Sequence, residues 1–250
     1  MGYGKMNSLN ILYEDNHLIV VEKKPNILSQ ADITGDVDLL TMVKEYIKKK
    51  YNKPGNVYLG LVHRLDRPVG GIMVFAKTSK AAKRLNEEIK KHEFNKTYVA
   101  ILDGILKKEK GKLTDYLYKD EKLHKSMVVN KDHKSAKISE LEYEVIDYIG
   151  DKTIVKINLI TGRHHQIRVQ FSNLGYPLYG DQLYGKDNKE QIRLFAYKLE
   201  FNHPTTKEKL SFKLIPKWKE LENETIIHRL WWCYIRYYRS NIQRNERKKY

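Results

Sequence analysis

The 250-residue chain is predicted to form an α+β domain around a mixed, mostly antiparallel sheet with flanking helices. Three observations carry this prediction. Strand-like apolar runs dominate from Thr97 onward, at Thr97 to Ile105, Met127 to Val129, Ile138 to Ile146, Thr153 to Ile160, Leu194 to Phe201 and Leu210 to Leu214. Amphipathic helical segments are dispersed among the strands, as expected of an α+β domain. Hydrophobic residues make up 41% of the chain, enough for a substantial core at this length.

Taken in order, the first element is the buried run Leu18-Ile19-Val20-Val21, which Pro25 ends. A helix from about Leu39 to Lys50 follows. The glycines Gly70 and Gly71 then mark a turn or a close backbone approach before the core strand Ile72-Met73-Val74-Phe75-Ala76. Ser79 is a candidate cap for a helix that buries Ala82, Leu85 and Ile89 and presents Lys83, Arg84, Lys90 and Lys91. The basic stretch Lys119 to Lys137 reads as a hairpin or loop beside the sheet, with a solvated charged loop as the plain reading. Ile167, Phe171 and Leu174 recur at helical spacing, with Gly175 as the stop and Pro177 after it. From Ile226, the positions Ile227, Leu230, Trp231, Tyr234, Tyr238 and Ile242 form an apolar helical stripe among arginines and lysines. That tail either docks on the domain or meets RNA, a partner or a membrane surface.

Charge and cysteine content narrow the function classes. Lys and Arg number 47 against 31 Asp and Glu, a net charge of +16 that points to a polyanionic partner. Cys233 is the only cysteine, so the chain can form neither an internal disulfide nor a cysteine-rich zinc site, and the cytoplasm is the expected compartment. No apolar run reaches the length of a membrane span. Neither a His-Glu-x-x-His pattern nor a phosphate-binding Gly-x-x-x-x-Gly-Lys stretch occurs, so no metal or nucleotide cofactor is expected.

Two stretches concentrate chemistry. In His63-Arg64-Leu65-Asp66-Arg67 a carboxylate lies between two arginines in a loop entering a core strand; a salt-bridged turn residue is the plainer reading. In Gly162-Arg163-His164-His165-Gln166-Ile167-Arg168, helical spacing would bring His164, His165 and Arg168 to neighbouring positions near a helix N-terminus, a setting suited to phosphate or carboxylate, or simply to a solvated face.

Together these stretches resemble the RluA-type pseudouridine synthases, whose catalytic loop reads His-Arg-Leu-Asp and whose later motif reads Gly-Arg-x-His-Gln-Ile-Arg. Lys24-Pro25, Lys96-x-Tyr98, Gly175-x-Pro177, Gly180-Asp181-x-x-Tyr184-Gly185 and Phe201-x-His203-Pro204 extend the resemblance in the family's order, over roughly residues 9 to 220. The chain departs from the family where Val69-Gly70-Gly71 replaces Thr-Ser-Gly and where His164 replaces a threonine. These changes affect loop contacts and RNA choice more than chemistry.

The resemblance implies a catalytic domain at 9–220 with an active-site cleft across the sheet, and a basic aromatic extension at 221–250. It implies cofactor-free isomerisation of uridine to pseudouridine in ribosomal or transfer RNA by a monomer. A non-catalytic RNA-binding or ribosome-assembly factor on the same fold is the alternative. Asp66 is implied as the catalytic carboxylate, either attacking the sugar or helping remove a sugar proton, with Arg168 as its ion-pair partner and Tyr98 stacking on the base. Arg64 is the candidate for the space vacated by a flipped nucleotide, with Arg163 and His165 as further RNA contacts. Leu199 is assigned to the floor of the uracil pocket, with a plain core position as the alternative. Asp181 and Tyr184 are expected to brace the cleft. Many members carry an N-terminal S4-type domain; with the first strand near residue 10, none is expected here.

Overall fold

The computed structural model describes residues 9–186 and 189–230. Eleven strands form one sheet, in the order β1 (Ile11–Glu14), β2 (Leu18–Lys23), β4 (Gly70–Ala76), β10 (Leu194–Asn202), β5 (Asn95–Asp103), β9 (Lys152–Leu159), β8 (Lys137–Ile149), β6 (Lys110–Asp120) and β7 (Lys125–Val129). The short β3 (Gly60–Leu61) pairs with β4, and β11 (Lys209–Lys213) with β10. Every described pairing is antiparallel except the two-residue contact of β10 with β4. The mostly antiparallel α+β expectation holds.

Helix α1 (Leu39–Lys50) starts where Asp38, in extended conformation, accepts from the Thr41 N–H, and its Leu39, Val43 and Ile47 recur at helical spacing into the core. Helix α2 (Ser79–Lys90) is capped by Thr78, not by Ser79. Thr78 has the extended backbone that lets its hydroxyl accept from the Ala81 N–H, and Ser79 is already helical. Helix α3 (Gln166–Asn173) ends at Leu174, and Gly175 follows with a φ of 89°. Strand β6 was not foreseen. Its run Lys110-Gly111-Lys112-Leu113-Thr114-Asp115 is half-exposed and carries little apolar content, so it is held by pairing with β8 and β7 more than by burial. The basic stretch beginning at Lys119 closes the β6–β7 hairpin.

Three buried clusters flank the sheet. The largest joins Ile19, Val21, Met73 and Phe75 to α1 and to Ile167 and Phe171 of α3. The second packs Leu18, Val20, Ile72 and Val74 against Leu85, Phe94, Leu199 and Phe201. The third gathers Ile146, Ile154, Phe195 and Tyr197 with Leu221, Ile226 and Leu230. Residues 224–230 are helical, and Ile226 and Leu230, one helical turn apart, dock on the core. The start of the extension therefore belongs to the packed domain. The rest of the expected terminal helix, 231–250, lies outside the described residues.

Gly70 and Gly71 serve the close approach of β4 and β10. Gly71 has a φ of 135°, and a Cβ there would lie 2.5 Å from the Ala196 carbonyl oxygen. Gly71→Ala combines overpacking with an unfavourable backbone, a destabilisation of about 3 kcal/mol. The urea midpoint of the variant is expected to fall well below wild type; an unchanged midpoint would show that the two strands do not approach so closely.

Candidate active site

The connection from β3 to β4 carries Asp66, and the backbone around it is tied down at every carbonyl. Ser29 Oγ donates to the Leu65 carbonyl at 2.7 Å and accepts from the Leu65 N–H at 3.1 Å. The Val69 N–H bonds the Asp66 carbonyl, and the Asn26 N–H bonds that of Arg67. Gln191 Nε2 donates to the Pro68 carbonyl at 2.7 Å. Lys23 Nζ, on a fully buried side chain, reaches the carbonyls of Arg67 at 3.0 Å and Val69 at 2.7 Å. Burial lowers the Lys23 ammonium to about 7, with Asp66 opposing the shift. Lys23 was not foreseen as a site residue. The signal was present: two-residue alternation along β2 places it on the core face of Ile19 and Val21.

His63 shapes the same connection. Beyond the short β3, its Nε2 accepts from the Val74 N–H at 3.1 Å, taking a backbone donor of β4 where the β3 ladder has ended. The ring packs against Phe94, and its Nδ1 is buried without a partner. Burial, with help from the Lys96 charge, holds the imidazole down at about 3.

Arg168, in the first turn of α3, faces Asp66 from the other side. Its Nε and Nη2 bind Asp181 at 2.8 and 2.7 Å, and its Nη1 lies 3.3 Å from Asp66 Oδ2. Asp181 Oδ1 also accepts from the N–H groups of Leu183 and Tyr184. Burial opposes ionisation of Asp181, but the Arg168 hydrogen bonds outweigh it and hold the carboxyl below its ordinary value. Asp181 is therefore the anchor of the arginine, a closer role than bracing the cleft wall.

The histidines do not lie on the helix. His165 occupies the N-cap in left-handed conformation, with a φ of 53°, and His164 precedes it, so the two do not share a helical face with Arg168. They stack instead, with ring centroids 3.7 Å apart. Ser126 of β7 bonds both the ring Nδ1 and the carbonyl of His164. The Tyr184 hydroxyl accepts from the Ser126 N–H at 2.7 Å and lies 2.9 Å from His165 Nδ1. The other ring nitrogen of His165, Nε2, lies 3.7 Å from Asp66 Oδ2. Burial holds His165 at about 4, although Asp66 opposes it.

Tyr98, on β5, is buried against this group, and burial together with Asp66 raises its phenol above the ordinary value. Asp66, Tyr98, Arg168, Arg64, Arg163 and His165 all line one cleft. Arg64 is exposed and Arg163 donates from Nε to the Ile138 carbonyl. Leu199 does not line the cleft. It is buried in the second core cluster with Ile72, Val74, Phe94 and Phe201, so its assignment to the pocket floor is corrected to a core position.

Comparison with known proteins points one way. Residues 17–173 match the family model described as RNA pseudouridylate synthase. The chain is 31% identical over 218 residues to ribosomal large subunit pseudouridine synthase C of Buchnera aphidicola, covering 83% of this chain and 67% of that protein. It is 31% identical over 201 residues to ribosomal large subunit pseudouridine synthase D of Borreliella burgdorferi, covering 77% of this chain and 60% of that one. The fold matches human RNA pseudouridylate synthase domain containing 1 with a TM-score of 0.70 at 24% identity, covering 90% of each chain.

The buried neutral His63 makes stability depend on pH. Its folded pKa of about 3 lies below the ordinary 6.5, so between these values the unfolded chain binds a proton that the folded protein refuses. The stability contribution is complete above pH 6.5 and lost as pH falls toward 3, by up to about 1.4 kcal/mol per pH unit. Urea unfolding of His63→Gln is expected to show a flatter decline than wild type between pH 6.5 and 4. Parallel declines in the two proteins would mean that His63 is not buried as a neutral ring.

Proposed function

We propose, from the premise that this chain belongs to the RNA pseudouridylate synthase family and is an RNA-modifying isomerase, that it converts uridine to pseudouridine in ribosomal RNA with Asp66 as the reacting carboxylate. The observation that carries the residue assignment is the Asp66 carboxylate in the cleft, 3.3 Å from an arginine that a second, buried aspartate holds in place. Two relatives named for the ribosomal large subunit favour ribosomal over transfer RNA as substrate. A cytoplasmic monomer acting on a structured loop is the working form we propose. Family membership favours the enzyme over a non-catalytic assembly factor.

In the reaction, the bond from uracil N1 to the ribose breaks, the base turns, and carbon 5 bonds the same sugar carbon, losing its proton to solvent while N1 takes one up. The redox state is unchanged. Asp66 serves either as nucleophile at the sugar carbon or as the base that removes a neighbouring sugar proton, and both routes use the same placement. Tyr98, kept protonated by its surroundings, offers a ring face for the base and a hydroxyl near carbon 5. A base in structured RNA must first leave its stack, at a cost of a few kcal/mol. We assign exposed Arg64, which lines the cleft beside Asp66, to the vacated space, and Arg163, also in the cleft wall, to the nearby RNA backbone.

Asp66→Asn removes the reactive carboxylate with almost no change in volume, and Arg168 keeps Asp181 as its partner. Tritium release from carbon-5-labelled ribosomal RNA is expected to fall at least about 1,000-fold, with RNA affinity within about threefold of wild type. Substantial turnover by the purified variant would remove Asp66 from the mechanism.

A further inference from the structure

Most cations lining the cleft already have partners. Arg168 holds two aspartates, Lys156 pairs with Glu144 at 2.5 Å, Lys198 with Glu200 at 2.7 Å, and Arg67 with Asp36 at 2.7 Å. Lys96 differs. It stands two residues before Tyr98 on β5, and alternation along a strand puts the two side chains on one face about 7 Å apart. Both line the cleft. Among the described residues its ammonium has neither a hydrogen bond nor an ion pair, yet it is withdrawn from solvent far enough that burial lowers its pKa.

Two neighbours sharpen the point. Gly162 lies beside the ammonium: a Cβ there would come 3.1 Å from Lys96 Nζ, so the missing side chain leaves the cation room to receive a ligand. His63, which feels the Lys96 charge, has its own unpartnered buried nitrogen. A half-buried ammonium without a counter-charge is unfavourable in the free protein, and an anion arriving in the cleft would relieve the cost. An RNA strand supplies one such anion per nucleotide.

We infer that Lys96, over the gap left by Gly162, is a subsite for one phosphodiester group of the RNA, next to the nucleotide received by Tyr98. This rests on the isomerase reading above. The subsite selects no base. It fixes the register of the strand, so that the nucleotide to be flipped stands at Asp66.

The test compares wild type with Lys96→Met, Lys96→Arg and Lys53→Met, the last an exposed cation outside the cleft that serves as a charge control. The probe is a transcript of bacterial large-subunit ribosomal RNA, its affinity measured across a salt series. Loss of one phosphate contact should lower the slope of log affinity against log salt by about 0.7 to 0.9. Lys96→Met is expected to show that loss and about tenfold weaker binding at low salt, Lys96→Arg to recover most of both, and Lys53→Met to stay near wild type. A slope in Lys96→Met equal to wild type, or an equal change in Lys53→Met, would overturn the subsite. In a second measurement, the 3′- and 5′-methyl phosphodiesters of uridine are compared with uridine itself. One diester should bind wild type more tightly than uridine, and Lys96→Met should erase that advantage without weakening uridine. Equal weakening of uridine would place Lys96 on the base and contradict the inference. Tritium release by wild type is scored separately: its absence would sink the substrate reading, while these binding comparisons would still decide the role of Lys96.

Discussion

Arg168 carries one positive charge between two carboxylates, and the architecture of the cleft follows from satisfying it. The guanidinium gives a two-pronged contact to Asp181 and leaves Nη1 for Asp66. Asp181 in turn receives the backbone of Leu183 and Tyr184, so the turn after Gly180 is fastened to α3 through one carboxylate. A buried charge group of this kind is costly to assemble, and removing one partner strands the others, at about 3–5 kcal/mol. Its value lies in geometry. Asp181 fixes the plane of the guanidinium, and the guanidinium fixes where a carboxylate on a separate loop must stand.

That separate loop is pre-arranged by different means. Five consecutive carbonyls, from Leu65 to Val69, each accept a hydrogen bond from β2, the Ser29 region, the loop itself or Gln191. A side chain on so constrained a backbone needs little reorganisation before it reacts. Lys23 is unusual in that a cation is spent on backbone carbonyls in the core. Its lowered pKa follows from burial. The His164–His165 stack closes the third side, and because Ser126 and Tyr184 hold both rings, the β6–β7 hairpin is linked through hydrogen bonds to the neighbourhood of Asp66.

What the sequence disclosed follows its physical signals. Continuous apolar runs and Gly70-Gly71 located β2, β4 and their close approach to a neighbouring strand, because burial and backbone clearance leave marks in residue type. Separated motifs in order located Asp66, Tyr98 and Arg168. Other features were hidden. Asp181 was expected only to brace the cleft, and only the fold makes it a second partner of Arg168. Helical spacing suggested a shared face for His164, His165 and Arg168, but the helix begins after the histidines because His165 adopts a left-handed conformation. Leu199 has the pattern of a residue on either sheet face, and the alternation of β10 assigns it to the core rather than the cleft. Strand β6 escaped notice since its stability comes from pairing on both sides.

Under the proposed mechanism, Asp181 acts on the reaction through Arg168, by holding the guanidinium that aims Asp66. The most direct measurement is single-turnover tritium release by Asp181→Asn, set beside its RNA affinity and melting temperature. The neutral amide keeps the size of the side chain but weakens the grip on Arg168. The account predicts turnover lowered by about 100-fold or more, from a protein that remains folded and binds RNA within about threefold of wild type. Turnover at the wild-type rate in a folded Asp181→Asn protein would contradict it.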